Sequence, residues 1–146
     1  MNKYAYFPGC SVHSSAAEYD QSTKRVASNL GLELVEIPEW NCCGAASARS
    51  LNQQLDLALN ARNLSLASRL KLDMIVPCAA CYQRLATTSL TLQEKQQDYE
   101  QISLVLGEKL AITSKVKSLL EVFTEDYALN ILQHEAQKSL SGLKIV

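Results

Sequence analysis

Met74-Ile-Val-Pro-Cys-Ala-Ala-Cys81 decides the fold. Three apolar, strand-forming residues run into a proline, and a cysteine pair follows at once; this reads as a buried strand whose carboxyl end opens into a loop. The same order of strand, proline and cysteine occurs twice more. Tyr4 to Phe7 leads to Pro8 and Cys10, and Glu33 to Ile37 leads to Pro38 and then Cys42 with Cys43. The chain's three prolines and five cysteines are all used in this way. Helical patterns separate the three segments, as crossover connections of a parallel sheet require. The expected fold is α/β: a small parallel sheet with crossover helices, cysteines at its carboxyl edge, and a mostly helical C-terminal part.

The first crossover helix is expected from Ser14 to Leu30, with Ala17, Val26 and Leu30 as a weak apolar stripe and Gly31 as the C′ residue that ends it. The second opens on the capping-box pattern Ser50-Leu-Asn-Gln53 and carries Leu51, Leu55, Leu59, Leu66 and Leu70 along one face. A third runs from about Ala79 toward Gln96. Shorter helices are expected over Ile102 to Leu110, Val116 to Phe123 and Tyr127 to Lys138. In open parallel sheets ligands bind at the carboxyl ends of the strands, so all five cysteines should converge there. Cys10, Cys78 and Cys81 also fall at or just before expected helix N-termini, whose unpaired N–H groups favour thiolate.

Length and composition agree with one domain over residues 1–146. The 146 residues are 47% apolar and 20% charged, within the globular range. A formal charge of -1 without a basic run gives no footprint for nucleic acid. Met74 to Tyr82, the longest apolar stretch, is far short of the roughly twenty residues of a membrane-spanning helix. No charged segment followed by an apolar one opens the chain, so the expected location is the cytoplasm. There, five cysteines, an odd number, point to metal or redox chemistry rather than a disulfide framework.

The spacing is Cys-x31-Cys-Cys-x34-Cys-x2-Cys. Cys78 and Cys81 would make a zinc knuckle, but the vicinal pair Cys42-Cys43 diverges too much to chelate one tetrahedral ion. An iron–sulfur cluster, in which each thiolate addresses a different iron, fits better. A cuboidal cluster takes four cysteines, leaving one that is structural, bridges two irons, or serves as a redox thiol. His13, three residues past Cys10, is a candidate to protonate a leaving thiolate. His134 reads as a surface residue, Trp40 and Tyr82 as shields of the cluster, and Gly9 and Gly44 as positions where a missing Cβ lets backbone approach the metal. No phosphate-binding glycine loop occurs.

The segments Tyr6-Phe-Pro-Gly-Cys-Ser11, Trp40-Asn-Cys-Cys-Gly44 and Val76-Pro-Cys-Ala-Ala-Cys-Tyr82 resemble the cysteine-rich CCG domain found in the B-type subunit of heterodisulfide reductase. The likeness extends through Val116 to Phe123 and the closing Gly142-Leu-Lys-Ile-Val146. The resemblance implies that Cys10, Cys42, Cys43, Cys78 and Cys81 ligate one noncubane [4Fe-4S] cluster; Cys42 and Cys43, with His13 from its place after Cys10, are the catalytic candidates. It also implies reductive cleavage of a disulfide of the CoB-S-S-CoM kind, with electrons from partner subunits carrying iron–sulfur clusters or flavin. That family has two CCG motifs where this chain has one, so the chain resembles the N-terminal half of a longer subunit. It is then expected to need the second half and to self-associate or bind it, an apolar closing strand Leu143 to Val146 supplying the edge. Similar domains serve as electron relays or assembly subunits in glycolate, glycerol-3-phosphate, lactate and succinate dehydrogenases, the first alternative. A zinc-stabilised binding module is the second.

Overall fold

A computed structural model describes residues 2–13, 15–45, 47–135, 142 and 144. Its centre is a four-stranded sheet of β1 (Asn2–Tyr6), β2 (Leu32–Glu36), β3 (Met74–Val76) and β4 (Val116–Ser118), in the order β2-β1-β3-β4 with every pairing parallel. The three expected strands are present to within two residues at each end. Phe7 and Ile37 extend the ladder past the strands, Phe7 N–H donating to the Ile75 carbonyl at 3.0 Å and Ile37 N–H to the Tyr6 carbonyl at 3.1 Å.

The crossovers run through α1 (Ala17–Asn29), the short α2 (Ala48–Leu51) with α3 (Gln53–Arg69), and α4 (Ala79–Glu94) with α5 (Gln96–Leu106). Parallel sheets are covered on both faces, and side chains alternating along β1 serve two cores. Ala5 and Phe7, with Met74 and Val76, pack against Leu64 and Ala67 of α3 and Leu85 of α4. Tyr4, Tyr6 and Ile75 face the other way, onto Ala27 and Leu30 at the end of α1, and onto Val122 and Ala128 further along the chain. A third cluster joins Leu57 and Ala61 of α3 to Ile102 of α5. The C-terminal part continues with α6 (Leu119–Phe123) and α7 (Asp126–Glu135).

Four expectations are corrected. Val116 to Phe123 is not one helix: Val116–Ser118 pairs with Met74–Val76 as a fourth strand. Only then does α6 begin, on a full capping box between Ser118 and Glu121. The second crossover is not capped at Ser50, because α2 breaks at Asn52, whose side chain accepts from Gln54 N–H at 2.7 Å and Leu55 N–H at 3.1 Å and so starts α3. Leu51 and Leu55 consequently lie 76% and 44% exposed, and the buried face of α3 holds Asp56, Asn60, Asn63, Ser65 and Ser68 among its apolar residues. On α1 the buried residues are Thr23 and Ala27, whereas Val26 is exposed. Finally, the third crossover breaks at Lys95, so α5 begins at Gln96 rather than Ile102.

Gly31 does end α1 as expected, at φ +70° with its N–H on the Ser28 carbonyl. The end of the last expected helix, past Glu135, and the strand Leu143 to Val146 lie outside the described residues. No helix among the described residues is long and apolar enough to cross a membrane.

The two positions proposed for the start of the second crossover separate by mutation. Asn52→Ala removes a cap that accepts two bonds and is expected to cost about 1 kcal/mol in urea unfolding. Ser50→Ala loses one exposed bond to the Ser47 carbonyl and is expected to stay within about 0.5 kcal/mol of the parent.

Candidate metal centre

Each cysteine loop leaves the same edge of the sheet. Beyond β1 the chain passes Pro8 and Gly9 into a single 3-10 turn, Cys10–His13. Cys10 therefore does not head an α-helix, since α1 begins only at Ala17. Beyond β2 it turns at Pro38 and Glu39 into Cys42 and Cys43. Beyond β3, Cys78 is the N-cap of α4 and Cys81 sits in its first turn, as expected.

The Cys43 and Cys81 sulfurs are 3.2 Å apart, and the other three thiols lie near enough to act on their protons, Cys10 with Cys42 and Cys43, and Cys81 with Cys78. Cys43 and Cys81 are buried, Cys78 is partly buried, and Cys10 and Cys42 are exposed. None is in a disulfide.

These contacts set the protons. The Cys81 thiol beside Cys43, helped by the Ala45 N–H, brings the Cys43 thiol down to about 6 against the opposing effect of burial. Cys81 is pushed far up for the complementary reason, as the donor to Cys43 in a buried place. Cys10 is raised by its bond to Cys42 and by partial burial. The inner pair thus holds one proton between two sulfurs.

Two glycines make the crowding possible. A Cβ on Gly9, which has φ +84°, would lie 3.4 Å from the Cys81 sulfur. At Gly44, φ is +72° and a Cβ would stand 2.6 Å from the Ala48 Cβ. The Gly44 N–H also points at the Cys42 sulfur, 3.4 Å away. Trp40 packs edge-on against Phe7, ring centres 5.4 Å apart, and donates to Glu36. Burial, with the nearby Glu121 carboxylate of α6, raises the Tyr82 hydroxyl above its ordinary value. His134 is exposed in α7, as expected. His13 lies in the turn after Cys10, and its side chain is outside the described ones.

Sequence reasoning missed the polar side chains that hold the vicinal cysteines. The Asn60 amide, fully buried, donates to the Cys43 carbonyl at 3.0 Å. Asn63 closes a two-bond ring with Asn41, accepting from its N–H at 3.0 Å and donating to its carbonyl at 2.9 Å. Arg62 donates to the Glu39 carbonyl at 2.6 Å, where the backbone sits at φ +55°. A buried amide left unpaired costs about 1–3 kcal/mol, so these bonds fix the loop on α3. The signal was present as three amide or guanidinium residues spaced 60, 62 and 63 on a helix otherwise read for its leucines.

The donor set is all sulfur. Among the described residues no three His, Cys, Asp or Glu side chains converge as a single ion would require. Five thiols brought from three loops to one edge fit a centre with several metal atoms, each taken by a different sulfur, better than one tetrahedral zinc.

A sheet with both faces covered and three strand-end cysteine loops gathered at one edge define a cysteine-rich domain of the CCG type. The family model for this cysteine-rich domain matches residues 4–86, more than half of the chain, and the protein belongs to that family. It is 34% identical over 99% of its length to the 8-methylmenaquinol:fumarate reductase membrane anchor subunit of Wolinella succinogenes, covering 51% of that protein. It is 26% identical to the B-type subunit of the ferredoxin:CoB-CoM heterodisulfide reductase of Methanosarcina mazei, over 87% of this chain and 44% of that one. A protein of Archaeoglobus profundus described as like the same heterodisulfide reductase subunit is 25% identical over 99% of this chain and 50% of its own. The resemblance to the heterodisulfide reductase family is thereby upheld, and the chain spans about half the length of these curated relatives. A crystal structure of a hypothetical protein from Helicobacter pylori shares the fold, with TM-score 0.73 at 17% identity, covering 85% of this chain and 25% of that one.

Gly44→Ala is expected to be costlier than Gly107→Ala. Both sit at positive φ, but a Cβ at Gly107 meets nothing within 4 Å, leaving only about 1 kcal/mol of backbone strain. At Gly44 the clash with Ala48 adds a further 1–3 kcal/mol or so. Thermal unfolding of the two variants measures the difference.

Proposed function

We propose that the protein is the cluster-bearing CCG subunit, or half-subunit, of a heterodisulfide reductase-type oxidoreductase. Cys10, Cys42, Cys43, Cys78 and Cys81 ligate one noncubane [4Fe-4S] cluster that serves reductive cleavage of a disulfide. The observation that carries this reading is the gathering of five free cysteines from three strand-end loops at the carboxyl edge of the sheet, with the Cys43 and Cys81 sulfurs 3.2 Å apart. When bound, the cluster supplies one-electron transfer at a potential set by its surroundings.

The chain's own residues divide the remaining work. Cys43 enters as thiolate, and Asn60 and Asn63 keep its loop in place. Cys10 and Cys42, on the exposed rim, face the substrate side. Phe7 and Trp40 pack beside the inner thiols, where burial lowers the local dielectric. Cys42 and Cys43 are the proposed catalytic thiols, and His13 supplies a proton to a departing thiolate. Splitting a disulfide consumes two electrons and two protons, so a one-electron centre needs a second. The 146 residues, read as one CCG domain, therefore act with a second CCG half or a second copy, and with subunits bringing electrons from iron–sulfur clusters or flavin. Five free thiols suit the reducing cytoplasm.

A second reading is favoured by the likeness to a fumarate reductase subunit: an electron-relay or assembly CCG subunit of a dehydrogenase or reductase acting on a carbon substrate. A zinc-stabilised binding module is a third, and the lack, among the described residues, of three ligands converging on one point speaks against it.

Anaerobic reconstitution with iron and sulfide tests the cluster. Cys42→Ser and Cys43→Ser are each expected to lose or convert it, while His13→Ala keeps the full iron content. Zinc in place of iron, or full retention in both cysteine variants, would overturn the ligand assignment. Turnover separates the first two readings: the loaded chain with a reduced donor is expected to cleave a disulfide only when the second half is added. Electron transfer without disulfide cleavage in the complete assembly would favour the relay.

A further inference from the structure

Behind the thiol site, α3 and α4 leave a cavity of about 200 Å3 between them, roofed by α2 and the residue that ends α4. Its walls carry Arg49 from α2, Asp56 from α3, Arg84, Thr88 and Thr91 from α4, and Lys95 at the break before α5. Asp56 and Thr88 are buried, and the Arg84 side chain is 20% exposed. The guanidinium of Arg84 stands 3.7 Å from the Asp56 carboxylate, an ion-pair distance that leaves its N–H donors uncommitted by hydrogen-bond geometry. Among the described residues neither Arg49 nor Lys95 has a carboxylate partner within 4.0 Å. Three cations against one carboxylate leave the lining at a formal +2.

Like charges held around an enclosed space are unfavourable until an anion joins them. Guanidinium with an ammonium and hydroxyl donors is the donor set of phosphate recognition. Pockets that take drug-sized ligands begin at about 300 Å3, so this one admits a small ion or the head of a larger molecule. A formal +2 matches the dianion. We propose that this cavity binds a phosphate dianion, free or as the phosphoryl group of an ester, with Arg84 at its base and Arg49 and Lys95 at its mouth. None of the five cysteines lines the cavity, so binding does not require iron and stands whether or not the cluster assignment does.

The test is calorimetric titration of the reduced, iron-free protein with inorganic phosphate, ionic strength being held constant with chloride. Saturable binding at millimolar phosphate or tighter is expected, with a rise in unfolding temperature that chloride does not reproduce. Arg49→Gln with Lys95→Gln, both at exposed positions, should not lower the unfolding temperature in chloride and should raise the phosphate dissociation constant at least tenfold. Methyl phosphate separates the sources: affinity equal to the free ion's supports an ester head group, and tenfold weaker affinity supports the ion itself. No saturable binding, a rise that chloride matches, or unchanged affinity in the double variant overturns the proposal.

Discussion

The position of β1 between β2 and β3 is the constraint on which the thiol site depends. Three parallel strands side by side end at one edge, and the loops that leave them cannot avoid meeting. Chain direction reverses its lateral progress there, since β2 lies on one side of β1 and β3 on the other. The crevice thus falls between the loop bearing Cys10 and the one bearing Cys78 and Cys81. Cys42 and Cys43 reach it from the far side of β1. Closing the last few ångströms then falls to local features, Gly9 under the Cys81 sulfur and the polar face of α3 under the vicinal pair.

How much of this was legible followed from whether a residue's partner was near in sequence. The strands announced themselves because short β-rich runs ended in proline. The shared edge followed from helices between them. The fourth strand did not announce itself: Val116-Lys-Ser118 is three residues long, alternates only once, and runs into a capping box, so it reads as the first turn of α6. Its identity rests on pairing with β3, some forty residues back. The site's cysteines were visible as a spacing, whereas Asn60, Asn63 and Arg62 were not, because polar residues in a helix ordinarily mean solvent. Here they mean a loop laid across the helix.

That inversion has an energetic logic. The buried face of α3 accepts amides and serines where leucines would pack, and Leu51 and Leu55 are left outside. A buried amide is tolerable only when paired, and the pairs it makes here are with carbonyls and N–H groups of residues 39–43, which have no ladder of their own to join. Helix and loop supply most of each other's partners, the buried Asn60 Oδ1 alone in this group being left without one among the described residues. The helix loses hydrophobic burial by this, and the vicinal cysteines gain a fixed direction, Cys43 inward and Cys42 outward.

The strand order also sets a timetable. β1 leaves the ribosome before its partners, which lie thirty and seventy residues downstream, Leu32–Glu36 and Met74–Ile75. Until the latter emerges, the strand that will be central has one unpaired edge, a state prone to wrong pairing. Such non-local closure is slow compared with helix formation. Cys10 therefore waits through the synthesis of some seventy residues before Cys81 exists to stand beside its neighbours. In a living cell, premature oxidation of that early thiol competes with completion of the sheet, so the lifetime of the nascent chain bears on how much of it ever acquires a finished site.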